Sequence, residues 1–136
     1  MIIRTDDELR RILRDNRVIA VVGLSANPAR PSNAVARYLM AHGYSVIPVN
    51  PAETEILGQP CYPDLASIPQ PVDIVDCFRK SEDTPPLAQA AVAIGAKVLW
   101  LQLGVSNETA AQTASAGGLA VVMDRCVEIE HARLLS

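Results

Sequence analysis

Residues 18–43 read VIAVVGLSANPARPSNAVARYLMAHG. An unbroken apolar run over 18–22 ends at Gly23, a loop of short polar residues and prolines follows, and a helical pattern over 33–42 stops at Gly43. An apolar run without polar alternation suits a parallel strand covered on both faces. Strand, small-residue loop and helix, in that order, open a nucleotide-binding βαβ unit. The loop is not G-x-G-x-x-G, because Ser25 and Pro28 stand where the second and third glycines would fall.

The same alternation continues in both directions. Thr5 and Glu8 form a capping box ahead of Leu9, Ile12 and Leu13, which predicts a helix over 6–16. Further strands are predicted over 44–49, 72–78, 97–103 and 119–123. Ser32 is read as the cap of the helix over 33–42. Pro85 and Pro86 suit the first turn of a helix ending near 94, Ser106 or Asn107 caps one ending near 116, and a last helix runs over 126–134. The stretch between 52 and 71 is rich in proline and turn formers, with at most one short helical turn near 64–67. Strands separated by helices imply right-handed crossovers and a parallel sheet. The expected fold is therefore α/β, a Rossmann-like doubly wound sheet of five parallel strands. The expected order is 3-2-1-4-5, with helices on both faces.

One domain over residues 1–136 accounts for this length. The net charge of −3 disfavours a nucleic-acid partner, which needs a basic field, but leaves room for a small anion at a local basic site. Cys61, Cys77 and Cys126 are odd in number and widely spaced, with no C-x-x-C, so neither a disulfide framework nor a metal site is expected. They are read as reduced thiols, which makes the cytoplasm the expected compartment. The charged N-terminus lacks an apolar signal segment, and no apolar run reaches the ~20 residues of a membrane span.

Ligands of such sheets sit at the carboxyl ends of the strands. In the first loop, Ser25 and Asn27 can donate to a phosphate, Arg30 supplies a cation, and the N–H groups opening the next helix face the same way. The competing reading is an ordinary strand-to-helix loop. At the end of the second strand, where an NAD site places Asp or Glu, this chain has Asn50 followed by Pro51. Both features speak against NAD. Arg79 and Lys80 emerge at the end of the third strand, either to grip phosphate or as solvated charges paired with Glu82 and Asp83. Gln102 either faces the cleft or marks the exposed end of the fourth strand.

Taken together, VVGLSANPARPSNAVARYLMAHGYSVIPVNP, EILGQPCYPDLASIP, VDIVDCFR, AKVLWLQLGV and VVMDRCVEIEHARL resemble the stand-alone CoA-binding proteins. These are similar to the N-terminal domain of the succinyl-CoA synthetase alpha subunit. The likeness covers about 18–134. It implies a fold that binds coenzyme A (CoA), free or acylated, across the strand ends. Carried onto this chain, Gly23, Leu24, Ser25, Asn27, Arg30 and Ser32 hold the phosphates. Asn50 and Pro51 flank the adenosine, with Phe78, Arg79 and Lys80 on its other side. Leu101, Gln102 and Leu103 lie near the pantetheine arm. One departure stands out: the synthetase has a phosphate-binding lysine after the strand-two proline, where this chain has Ala52 and Glu53.

No catalytic constellation is legible. Asp73 and Asp76, three apart on one strand, point to opposite faces. His42 and His131 are placed at helix ends away from the cleft. Cys126 is either a thiol activated by a helix start and Arg125, able to form a mixed disulfide with CoA, or an inert small hydrophobe. The expected function is CoA or acyl-CoA binding without chemistry of its own. The alternative is a nucleotide-dependent enzyme, either a small NAD(P) oxidoreductase or one component of an acyl-CoA ligase. No protein partner can be named from the sequence.

Overall fold

The computed structural model describes residues 1–135. Helix α1 (Asp6–Asp15) starts at the expected capping box: Glu8 N donates to Thr5 Oγ1, and the Glu8 carboxylate accepts from Thr5 N. Strand β1 (Val18–Val22) and helix α2 (Pro31–Ala41) follow. Next come β2 (Ser45–Val49), a hairpin of β3 (Glu55–Ile56) and β4 (Gln59–Pro60), and a 3-10 turn at Leu65–Ser67. The chain then alternates through β5 (Ile74–Cys77), α3 (Thr84–Ala93), β6 (Val98–Leu101), α4 (Glu108–Ala116), β7 (Ala120–Val122) and α5 (Val127–Leu135).

The five long strands form one sheet, every pair parallel, as expected. Their order corrects the expectation of 3-2-1-4-5. The sheet reads β2-β1-β5-β6-β7, so counting its strands along the chain gives 2-1-3-4-5. The third strand pairs with the first, not the second: Val21 lies beside Asp76 and Val22 beside Cys77. The connection over 50–73 contains no α-helix to carry the chain outward past β2. After the hairpin, Tyr62 pairs in parallel with the free edge of β2 beside Val49, and the chain then returns to β5 next to β1. Leu57 (φ 54°) and Gly58 (φ 75°) make the hairpin turn, both in the left-handed region that a two-residue turn requires.

Helices cover both faces. On one, Leu9 and Leu13 of α1, Val35 and Leu39 of α2 and Val127 of α5 pack on Ile19, Val21, Ile74 and Trp100. On the other, Ala88 and Ala91 of α3 and Ala110 and Ala114 of α4 lie over Val75, Leu99 and Leu101. Small residues there let the two helices pack close to each other and to the sheet. Residues 1–3 run along β7, with Ile3 N donating to Val121 O (2.8 Å). Two local expectations fail. Ser32 does not cap α2, which begins at Pro31 after Arg30, because the Ser32 hydroxyl is engaged by the loop before it. His131 lies within α5, is buried, and sits 2.8 Å (Nδ1) from Tyr38 Oη. None of the described helices is long and apolar enough to cross a membrane.

Candidate functional site

From β1 the chain leaves first toward β2 and later returns to β5 on the opposite side. A sheet with this reversal opens a crevice at the carboxyl ends of the two strands flanking it, here β1 and β5. Gly23 and Phe78 meet at that point. Phe78 N donates to Val22 O (2.8 Å) and Gly23 N to Val49 O (2.9 Å). Gly23 has φ 85°, and a Cβ on it would lie 2.3 Å from Phe78 O. Only glycine lets the two strand ends close in this way.

Two chambers open above this junction and share Pro31 and Phe78. The first, of about 350 Å³, is lined also by Gly23, Ser25, Arg30 and Ser32, and lies at the start of α2. Its loop is tied by its own side chains. Ser25 N donates to Ser32 Oγ (3.0 Å), Asn27 N to Ser25 Oγ (3.1 Å), and buried Asn33 Nδ2 to Ser25 O (2.9 Å). Arg37 clamps from below, through Asn33 Oδ1 (2.9 Å) and Pro28 O (3.1 Å). Each hydroxyl thus accepts from backbone and keeps its own proton to donate to a ligand. The positive end of the α2 dipole falls here too.

The second chamber, of about 480 Å³, is mostly apolar. Val35, Leu103, Val105, Cys126 and Ile129 enclose it, with Arg79 and Lys80 at its edge and Gln102 on its wall. Leu103 and Ile129 form an exposed apolar rim. Arg30, Arg79 and Lys80 make no ion pair among the described residues, so the expected pairing of the latter two with Glu82 and Asp83 is not seen. Three free cations concentrate positive charge at one crevice of an otherwise acidic chain.

Beside the second chamber lies a buried polar pair. Asp76 of β5 is fully enclosed, and Gln102, just past β6, is 3% exposed. Gln102 Nε2 donates to Asp76 Oδ1 (2.7 Å), while Asp76 Oδ2 has no partner among the described residues. Burial pushes the Asp76 carboxyl up to about 7, and the bond from Gln102 opposes this only partly. Asp73, by contrast, accepts from Arg17 N and Val18 N and faces Lys97, so the two aspartates form no dyad. Burial drives the Cys77 thiol far above its ordinary value, which makes it inert.

The crevice therefore gathers Gly23, Ser25, Arg30, Ser32, Phe78, Arg79, Lys80, Gln102 and Leu103. It leaves out Leu24 and Leu101, whose side chains are buried in the two opposite cores. Asn27 Oδ1 is engaged by Ala29 N (2.9 Å), and Asn27 lines neither chamber. Asn50 ties two loops together, donating to Leu24 O (3.0 Å) and accepting from Ala52 N (2.8 Å), with exposed Pro51 beside it. Pro31, Val35, Val105, Cys126 and Ile129 line the crevice as well, beyond the residues that the resemblance implies. Cys126 alone carried a signal, its position after Asp124–Arg125 at a helix start. No group of three metal-ligating side chains occurs among the described residues.

Known proteins resemble this chain over most of its length. The chain is 42% identical over 125 residues, 92% of its length and 93% of the other's, to the uncharacterized protein YneT of Bacillus subtilis. A hypothetical protein from Pyrococcus horikoshii superposes with a TM-score of 0.95 at 43% identity, covering 98% of this chain and 94% of that one. A 58-residue stretch, 43% of this chain, is 40% identical to part of an ADP-forming acetate–CoA ligase of Archaeoglobus fulgidus, spanning 8% of that enzyme. Residues 17–132 match the CoA binding domain family. This chain belongs to that family, and is related to the CoA-binding region of ADP-forming acyl-CoA synthetases.

Proposed function

We propose that the chain binds coenzyme A or an acyl-CoA in the crevice between β1 and β5. The diphosphate lies in the chamber at the start of α2, and the pantetheine arm in the apolar chamber beyond Phe78. The observation that carries this reading is the pairing of the two chambers. One offers hydroxyl donors, a helix start and Arg30, and the other offers carbon surface. A ligand with a polyanionic head and a long, mostly uncharged tail matches both; a dinucleotide has no apolar tail to match the second. Arg30, Arg79 and Lys80 are the cations available in place of the lysine missing after Pro51.

As a module, the chain holds the cofactor and needs no acid–base pair of its own. A second reading makes it one component of an acyl-CoA ligase whose other part is a separate chain, supported by the stretch shared with the archaeal ligase. Calorimetric titration with CoA, acetyl-CoA, NAD and NADP tests the reading. Saturable heat with the two CoA species alone supports it; a preference for either dinucleotide overturns it.

A further inference from the structure

The Asp76–Gln102 pair is the largest investment in buried polarity near the crevice, and binding of a diphosphate does not call for it. Ionised, as it is at pH 8.5, the Asp76 carboxylate only accepts hydrogen bonds, so the amide of Gln102 turns its Nε2 toward it, at 2.7 Å. The other end of the amide, Oε1, takes no hydrogen bond among the described residues. It is not sealed from solvent, unlike Asp76 Oδ2. Gln102 lines the mostly apolar chamber. An acceptor fixed in a mostly carbon-lined cavity rewards a ligand donor and penalises a ligand acceptor.

We propose that Asp76 is a positioning residue: it holds the carbonyl oxygen of Gln102 toward the apolar chamber, so that the site selects an arm presenting an N–H donor there. Resting on the CoA reading above, that donor is one of the two secondary amides of the pantetheine arm. Asp76 itself touches no ligand. It sets the direction of the amide that does.

The test compares CoA with two analogues, each with one arm amide replaced by an ester, which removes the N–H and puts a lone pair against Gln102 Oε1. Adenosine 3′,5′-bisphosphate, which lacks the arm, serves as the control, with all titrations at pH 8.5. The wild-type chain binds one ester analogue about tenfold or more weakly than CoA. In Asp76→Leu that discrimination falls toward unity while affinity for the bisphosphate is unchanged, a pattern that general loss of structure does not give. The double exchange Asp76→Asn with Gln102→Glu keeps the discrimination, because the new amide donates to the new carboxylate, whose second oxygen still faces the chamber. It decides the matter should the leucine variant not fold. Wild-type binding of CoA without discrimination against either ester, or discrimination that survives Asp76→Leu or vanishes in the double exchange, overturns the proposal and leaves the CoA reading standing. Failure of the wild type to bind CoA at all overturns that reading instead.

Discussion

Replacing Asp76 by Asn changes how stability depends on pH, and the direction follows from burial. The carboxyl is 0% exposed, one oxygen accepts from Gln102, and the other has no partner among the described residues. In the folded chain its proton comes off at about 7, against 3.8 for an ordinary aspartate. A group whose folded value is raised contributes stability that is fully present below the unfolded value and is lost as pH rises through the folded one. Between pH 4 and 7 the folded chain holds a proton that the unfolded chain releases, so stability falls across that window and levels off above it. The full difference corresponds to ~4 kcal/mol, and the part between pH 4.5 and 8.5 to ~3 kcal/mol. Asn has nearly the same shape and keeps the acceptor for Gln102, but does not titrate. Its Nδ2 stands where Oδ2 has no partner, an unsatisfied donor costing about 1–3 kcal/mol at every pH. That cost cancels when the variant–wild-type difference is compared between two pH values, as do the other titrating groups. Urea denaturation at pH 4.5 and 8.5 should therefore show the difference moving by ~3 kcal/mol in favour of Asp76→Asn at the higher pH. A difference that stays flat would refute the argument, and with it the picture of a desolvated carboxyl beside the crevice.

Other outcomes follow from single contacts. Gly23→Ala forces a methyl to within 2.3 Å of Phe78 O at φ 85°, so it should cost about 2–4 kcal/mol in denaturation and weaken CoA binding by separating the strand ends. Arg79→Ala should lower CoA affinity by about 1.5–3 kcal/mol in calorimetry while leaving the melting temperature nearly unchanged, since Arg79 is exposed and makes no ion pair among the described residues. An unchanged dissociation constant would remove it from the site. Glu130→Ala breaks contacts to Arg125 (2.6 Å) and Arg133 (2.8 Å) around a buried carboxylate. The two arginines are half-exposed, which limits the expected loss to ~1–2 kcal/mol by chemical denaturation at low salt.

Local patterns in the sequence carried the fold a long way, and the places where they stopped have physical causes. Strands β1 and β6 announce themselves as unbroken apolar runs with a glycine close by, and the capping box at Thr5 is a purely local signal. Strand order is a different kind of fact. Whether the strand at Ile74–Cys77 lies beyond β2 or beside β1 depends on the path over 50–73, where the hairpin strands are two residues long and too short to show a period. At the site, Arg79 and Gln102 are legible because strand ends fix their place, and Arg30 because it stands in the loop that opens α2. Leu24 and Leu101 share those backbone neighbourhoods, yet alternation turns their side chains into opposite cores. Val35 and Ile129 sit on helices whose facing is set by tertiary packing, so nothing local marks them as cleft lining. Pairing of Asp76 with Gln102 joins positions on neighbouring strands, and only the register of β5 on β6 brings them together.

The most direct measurement is a crystal structure of the chain with CoA bound. The diphosphate should lie among Ser25, Arg30 and Ser32 at the start of α2, with the arm running past Phe78 along Gln102. A CoA molecule seated on another face, or a diphosphate distant from α2 with the second chamber left empty, would contradict it.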